Sequence, residues 1–373
     1  MRLRYTFARM RRRRRTPAAS DQDRRAKGQM LRTDDFDYDL PTGLIAQAPA
    51  EPRDSCRLLV LDRASGQMDH RTFADLPEYL RQGDLLVVNE TKVLPARLHA
   101  VKDETGGAAE VLLLRERYEG AWECLVKPGR RLKPGARLVF GDGAMTGLIV
   151  DVLDEGGGRL IQFRSEEPFL DVVHRIGSMP LPPYITRELD DPAQYQTVFA
   201  RDERSAAAPT AGLHFTPALL DRCREAGARI AAVELDVGLD TFRPVSEDDP
   251  SRHPIHSEHF RVSPETAELV NATKQAGGRV IAVGTTSVRA LESAYDEEAD
   301  RVVADDATTS LFILPGFKFA AVDAVVTNFH VPRSTLMMMI SAFAGRDLVM
   351  RAYAEAMERR YRFLSFGDAM LIL

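Results

Sequence analysis

Apolar and polar positions follow two different rhythms along this chain, and the change of rhythm divides it. Between 31 and 93, short continuous apolar runs stand out: Arg57–Leu61 (RLLVL) and Asp84–Asn89 (DLLVVN). Such runs predict strands buried on both faces, and Gln82-Gly83 marks the turn into the second. Thr72–Leu80 between them predicts a short helix. From 94 to 165 the runs become short and alternating: Ala96–Val101, Ala109–Arg115, Trp122–Val126, Ala136–Phe140, Gly147–Leu153 and Arg159–Arg164. Gly106-Gly107, Pro128-Gly129, Pro134-Gly135, Gly141–Gly143 and Gly156–Gly158 separate them. Short strands at regular spacing, with almost no helix, predict a small β-barrel. Because the chain on either side mixes helix and strand, 94–165 reads as an inserted domain.

From 166 onward helices and strands alternate. Thr216-Pro217 and Ser263-Pro264 each place a capping hydroxyl before a proline at the first helical position. The first helix stops near Gly227 and the second at Gly277-Gly278, and strands Ile230–Leu235 and Arg279–Val283 follow. Thr286–Tyr295, Ser334–Ala344 and Asp347–Tyr361 predict helices, and Val322–Thr327 a strand. The fold class expected is α/β: a mixed, partly parallel sheet with helices, formed by 31–93 and 166–373 as one discontinuous catalytic domain, plus the inserted small β-barrel.

Composition narrows the picture. The chain has 373 residues, 44% hydrophobic and 28% charged, which suits a soluble protein of about two domains. No apolar run approaches the ~18 residues of a membrane span, and no apolar stretch follows the N-terminal arginines as a secretory signal requires. Cys56, Cys124 and Cys223 are odd in number and far apart, so no disulfide framework or metal pair is expected, and the compartment expected is the reducing cytoplasm. The net charge of −5 conceals an asymmetry. Residues 1–30 carry eleven basic and two acidic side chains, a net +9; the other 343 residues carry 39 basic and 53 acidic, a net −14. The Arg11–Arg15 block repels itself and predicts a disordered leader. It reads as a basic arm that touches phosphates, as an inert tail, or as the product of a start placed too early, with Met30 the true first residue. The acidic remainder is a poor general binder of nucleic acid, so an RNA partner needs a local basic patch.

In open α/β sheets, ligands bind beyond the carboxyl ends of strands. Four polar segments occupy or flank such positions: 205–216, 236–243, 284–289 and 328–335. Gly284-Thr285-Thr286-Ser287 opens a helix with free N–H groups and three hydroxyls, which is either a seat for an anion or carboxylate, or an N-cap on a solvated turn. His253-Pro-Ile-His256-Ser-Glu258-His259 is rich in ligand-capable side chains. Its spacing matches no helical metal pair and Pro254 opposes a helix, so acid–base or hydrogen-bonding roles for His256 and Glu258 are preferred over a zinc site. Met337–Met339 reads as core filler. Gly141–Gly147 is followed by a strand and lacks the Lys-Ser/Thr of a phosphate loop.

Taken in order, many stretches resemble one family, the S-adenosylmethionine:tRNA ribosyltransferase-isomerases of queuosine biosynthesis. They are DFDYDLPTGLIAQAPAEPRDSCRLLVLDR (35–63), GDLLVVNETKVLPARL (83–98), PLPPYI (180–185), SAAAPTAGLHFT (205–216), DVGLDTFRPV (236–245), HPIHSEHF (253–260), AVGTTSVRALES (282–293), TNFHVPRSTLMMMISAFAG (327–345) and YRFLSFGDAMLIL (361–373). The resemblance spans about 31 to 373. It departs at one place: the family pattern reads Leu-His-Val-Gly with a further glycine before Thr-Phe, where this chain has Leu235-Asp236-Val237-Gly238 and then Asp240.

The resemblance implies transfer and isomerisation of the ribosyl part of S-adenosylmethionine onto 7-aminomethyl-7-deazaguanine at the wobble position of a tRNA anticodon loop, releasing adenine and methionine. It also implies no metal or further cofactor, since S-adenosylmethionine is a consumed co-substrate, and no membrane or obligate protein partner. The sulfonium makes the adjacent C5′ hydrogens acidic, so a base is required, with His214, Asp236, His256 and Glu258 as candidates. Adenine leaves only if protonated or hydrogen-bonded, with His330 or Asp368 as candidate donors. The methionine carboxylate is expected on Gly284, Thr285, Thr286 and Ser287 with Arg289. Phe242 and Phe329 are expected to face the cationic sulfur, and Tyr184 and Phe215 to stack the unstacked base. Pro209, Thr210, Gly212, Gly238, Thr241, Arg243 and Asn328 complete the expected binding set. A conventional RNA methyltransferase using the same co-substrate is the alternative enzyme, and the absence of a Gly-rich nucleotide turn opposes it. A non-catalytic RNA-binding module is the alternative outside enzymology.

Overall fold

The structure, a computed structural model, describes residues 31–153, 158–238, 244–255 and 257–373. In chain order its strands are β1 Arg57–Leu61, β2 Met68–Thr72, β3 Leu85–Asn89, β4 Lys92–Val93, β5 Arg97–Lys102, β6 Ala108–Tyr118 and β7 Ala121–Lys127. There follow β8 Arg137–Phe140, β9 Met145–Val152, β10 Gly158–Ser165, β11 Glu203–Ser205, β12 Arg229–Leu235 and β13 Glu258–Val262. The last are β14 Val280–Val283, β15 Tyr295–Asp296, β16 Arg301–Val302, β17 Asp305–Thr309, β18 Ala324–Asn328 and β19 Ala369–Ile372. Two compact units arise. The first takes the described residues of Met1–Glu90, Pro209–Leu235 and Asp240–Leu373, and the second those of Thr91–Ala208 and Asp236–Leu239.

The first unit is a nine-stranded mixed sheet in the order β17-β13-β12-β3-β14-β18-β19-β1-β2. Its middle four strands, β12, β3, β14 and β18, are parallel. All five residues of β3 and all four of β14 are buried, as the continuous apolar runs require of strands covered on both faces. The proline-started helices form as the caps predict. Thr216 Oγ1 accepts from Leu219 N at 3.1 Å before helix Pro217–Glu225, and Ser263 Oγ accepts from Thr266 N at 3.1 Å before helix Pro264–Gln275. The predicted helix at Thr72–Leu80 is a 3-10 helix, Phe73–Tyr79, with Pro77 inside it; proline removes the donor that an α-turn needs there.

The last strand ties the chain end into the sheet. β19 runs antiparallel to β18 and parallel to β1, and Ala369–Ile372 are all buried. Asp368, just before it, accepts from Arg57 N at 3.0 Å, Arg57 Nε at 3.1 Å and Arg362 N at 2.7 Å.

The second unit holds a closed barrel, β10-β7-β6-β5-β8-β9, whose neighbours are all antiparallel. Each strand lies within a few residues of its sequence expectation. The compact unit is wider than the expected 94–165, however. Helix Phe169–Ile176 buries Val172 and Val173 in the barrel's apolar cluster, Arg97 and Ser178 exchange backbone bonds of 3.1 and 2.9 Å, and β11 pairs in parallel with β4. The strand pattern marked the barrel but carried no sign of this following strap. The expected leader, 1–30, lies outside the described residues. Among the described residues, no helix is long and apolar enough to cross a membrane.

Candidate active site

The four parallel strands of the first unit end on one edge, so their carboxyl ends bring distant segments together. β3 ends at Asn89, whose amide donates to Leu235 O at 3.0 Å and accepts from Leu235 N at 3.2 Å, fixing the end of β12. β14 ends at Val283 and passes into Gly284, whose φ of 90° is a conformation that favours glycine. A Cβ there would meet Ala211 Cβ at 3.5 Å and Thr286 Oγ1 at 3.4 Å, so the turn Thr210–His214 packs directly against the start of helix Thr285–Ala294. Gly284 N donates to Val326 O at 2.7 Å on β18, the strand that ends at Asn328. Segments 210–214, 284–287 and 328 therefore meet at this edge.

The start of helix Thr285–Ala294 has the free N–H groups of any first helical turn, without a side-chain cap. Ser287 Oγ donates to Val283 O at 2.8 Å, so its hydroxyl is spent inside the helix. Thr285 is buried. Thr286 Oγ1 is a buried atom without a hydrogen-bond partner among the described residues, so this turn keeps at least one hydroxyl that can serve a ligand.

A directed chain of hydrogen bonds runs behind the edge. Asn328 Nδ2 lies 3.0 Å from His214 Nε2 and 3.3 Å from Leu364 O, so it donates to both and His214 Nε2 is an acceptor. His214 Nδ1 then carries the hydrogen and points it at Cys56 Sγ, 3.2 Å away. At the other end, Thr210 Oγ1 donates to Asn328 Oδ1 at 3.1 Å. With its proton committed, Thr210 presents only lone pairs outward. Burial, reinforced by the charges of Arg362 and Arg53, pulls the His214 pKa down to about 3. Burial also raises the Cys56 thiol pKa, so the thiol stays protonated. His214 is thus a neutral positioning residue at ordinary pH, and its expected use as a base does not fit this environment.

Other expected roles are also corrected by position. Burial lowers the His330 pKa to about 3; its Nε2 lies 2.8 Å from Thr327 Oγ1 and its backbone N donates to the Tyr353 hydroxyl at 2.8 Å. Near neutrality it is a neutral imidazole, so it brings adenine no imidazolium proton. Asp368 is the carboxylate anchor described above, engaged by Arg57 and Arg362, and is not a proton donor. Glu258 and Arg289, expected on opposite tasks, are a buried ion pair with each other, and Arg289 also donates to Leu311 O at 3.0 Å and Thr309 O at 3.3 Å. Arg289 is thereby turned away from carboxylate binding. Phe215 is fully buried edge-on against Phe73, and Phe329 sits in an aromatic core with Tyr353, Tyr361 and Phe363. Neither offers a free face for a base or a sulfonium. Pro209 and Gly212 are buried and shape the Thr210–His214 turn, Gly212 N donating to Pro209 O at 2.8 Å.

Tyr184, Asp236 and Gly238 belong to the second unit, and all three are half-buried. Asp236 directly follows Leu235, the last residue of β12. Thr241, Phe242, Arg243 and His256 lie outside the described residues. His253 Nδ1 takes Glu247 at 2.7 Å and His259 Nε2 takes Asp306 at 2.7 Å, so these two imidazoles serve different carboxylates. Among the described residues, no group of three or more His, Cys, Asp or Glu is placed to hold a metal ion. Sequence reasoning missed Cys56 and Asn89, whose work is to hold other polar groups; no motif signals such a role.

Comparison with known proteins finds relatives over nearly the whole described chain. A family model described as "Queuosine biosynthesis protein" matches residues 33–372. The S-adenosylmethionine:tRNA ribosyltransferase-isomerase of Symbiobacterium thermophilum is 58% identical over 343 residues, covering 92% of this chain and all of that one. Its counterpart in Desulforamulus reducens is 52% identical with the same coverage. Among solved structures, the S-adenosylmethionine tRNA ribosyltransferase of Thermotoga maritima is 40% identical, covers 91% of this chain and 100% of its own, and gives a TM-score of 0.52.

Proposed function

This chain belongs to the queuosine biosynthesis family of S-adenosylmethionine:tRNA ribosyltransferase-isomerases, and from that membership we propose how its strand-end residues serve the reaction. The enzyme transfers the ribosyl moiety of S-adenosylmethionine to 7-aminomethyl-7-deazaguanine at the tRNA wobble position and isomerises it, giving epoxyqueuosine-tRNA with loss of adenine and methionine. The observation that carries the location of the site is the meeting of Thr210, Gly284–Ser287 and Asn328 at one sheet edge.

In this reading the methionine carboxylate takes the free N–H groups of the Thr285 turn and the Thr286 hydroxyl. Thr210, held by Asn328 and His214, accepts from an amino or hydroxyl group of the co-substrate. The base that removes the C5′ proton is Asp236, which stands where the family pattern has a histidine and follows the carboxyl end of β12. Asp236→Asn is expected to lower kcat about 100-fold while leaving S-adenosylmethionine binding within a few-fold. Unaltered turnover would exclude Asp236 as the base. The reading uses no metal or further cofactor, because the co-substrate is consumed, and it makes the protein a cytoplasmic monomer without an obligate protein partner.

Isotopic labelling distinguishes this chemistry from methyl transfer. S-adenosylmethionine labelled with carbon-13 in the ribose should mark the tRNA nucleoside, whereas label in the methyl group should leave with methionine. Methyl label in the RNA, accompanied by S-adenosylhomocysteine, would overturn the reading. Any turnover excludes a purely RNA-binding module.

A further inference from the structure

The barrel carries a charge pattern that the reaction site does not use. Between Cys124 and Gly141 the sequence has five cations and no Asp or Glu: Lys127, Arg130, Arg131, Lys133 and Arg137. All five are exposed, and among the described residues none of them forms an ion pair. That is unusual in a chain whose residues after the leader carry a net −14. Several of the barrel's other cations are matched, Arg115 and Arg117 by Glu123, Arg97 by Glu110 and Lys102 by Glu104.

The segment is held in shape. β7 and β8 are not neighbours in the barrel, so their connection crosses one barrel end. Leu132, in its middle, is 2% exposed and belongs to the barrel's apolar cluster. Beneath it lies Arg159, itself 7% exposed, whose guanidinium donates to Leu132 O at 2.7 Å, Gly129 O at 2.6 Å and Gly158 O at 2.8 Å. Arg159 has no carboxylate partner among the described residues. A buried, unneutralised guanidinium therefore adds to the positive potential of the loop while fixing its backbone.

We propose that the β7–β8 connection is a docking element for the sugar-phosphate backbone of the RNA substrate, outside the reacting nucleotide. The proposal rests on the reading above that the substrate is a tRNA. A surface of Lys and Arg with no aromatic side chain between 127 and 137 suits phosphates and not bases. The element positions RNA and does not touch the chemistry.

The test is a fourfold variant, Lys127→Gln, Arg130→Gln, Arg131→Gln and Lys133→Gln, in the full chain. A charge-matched control neutralises the exposed Arg222, Arg224, Arg301 and Arg351 of the first unit. Binding of a fluorescent anticodon stem-loop is followed by anisotropy across a salt series, with turnover measured in parallel. The barrel variant should bind about 10–100-fold more weakly, and its log Kd against log salt slope should fall by about 2–3, as expected when three or four phosphate contacts are lost. KM for tRNA should rise correspondingly with kcat within twofold, and Lys127→Arg with Lys133→Arg should behave as wild type. The control should lose far less affinity. Because Leu132 and Arg159 are untouched, the barrel variant should unfold at the wild-type urea midpoint. If the wild type turns tRNA over and the barrel variant keeps its affinity and slope, the docking surface is refuted and the function stands. If the variant loses binding to phosphatidylserine vesicles and not to RNA, the surface serves a membrane and the proposal fails. If the wild type neither binds nor modifies tRNA, the functional reading itself fails and the surface with it.

Discussion

Lowering the pH from 6.5 to 4.5 is expected to cost the folded protein about 5 kcal/mol through two histidines alone. His214 and His330 are buried, and burial holds both pKa values near 3, against 6.5 for an unperturbed imidazole. The unfolded chain therefore binds protons at these sites below pH 6.5, and the folded chain does not. Stability is fully present above pH 6.5 and is lost steadily as the pH falls toward 3. Each pH unit costs about 1.4 kcal/mol per histidine, so two units and two histidines give the figure above. Carboxylates with lowered pKa values, such as Glu247 beside His253, act in the same direction, but mainly below their ordinary range near 4.5. Urea unfolding at intervals between pH 7 and 4.5 should show stability falling with a slope near two protons. His330→Gln should reduce that slope by about one proton. A flat profile over this range would mean that these imidazoles are charged in the folded state.

Asp368→Ala is expected to destabilise the protein by about 3–5 kcal/mol. The carboxylate is 1% exposed and accepts from two backbone N–H groups and one guanidinium at 2.7–3.1 Å. The guanidinium side chains of Arg57 and Arg362 are 40% and 36% exposed, so water recovers part of their lost pairing. The larger loss comes from Arg57 N and Arg362 N, which would be left without their acceptor, and from the loosened entry into β19. The urea midpoint should fall well below that of the wild type, and the far-ultraviolet spectrum at zero denaturant should stay native. A change within about 1 kcal/mol would show that β19 needs no anchor.

These two expectations show where the sequence speaks and where it is silent. The barrel was legible because alternation and Gly-bearing breaks are local signals, and each of its strands forms where they place it. The parallel centre was legible because LLVVN and VIAV are continuous apolar runs. β13, β17 and β19 were not, since EHFRV and DDATT read as polar and AMLI is too short, and all three depend on partners distant in the chain. The site segments were legible as polar sequence leaving strands, and three of them do meet. The roles of single residues were not. Whether a histidine is a base or a buried strut depends on what surrounds it, and nothing in LHF or NFH reveals that Asn328 donates to His214 or that Tyr353 receives the backbone of His330. Arg289 and Glu258 were each plausible alone, and only their contact shows that they neutralise one another.

On the proposed reading, the turn at Gly284–Ser287 receives the methionine end of S-adenosylmethionine. The affinities of wild type and Thr286→Val for S-adenosylmethionine and for its decarboxylated analogue decide this. Valine keeps the shape of threonine and removes only the hydroxyl. If Thr286 Oγ1 donates to the carboxylate, the substitution should weaken S-adenosylmethionine binding about 10–100-fold and leave the analogue's affinity unchanged. Equal affinities of both proteins for S-adenosylmethionine, or equal losses for the two ligands, would contradict it.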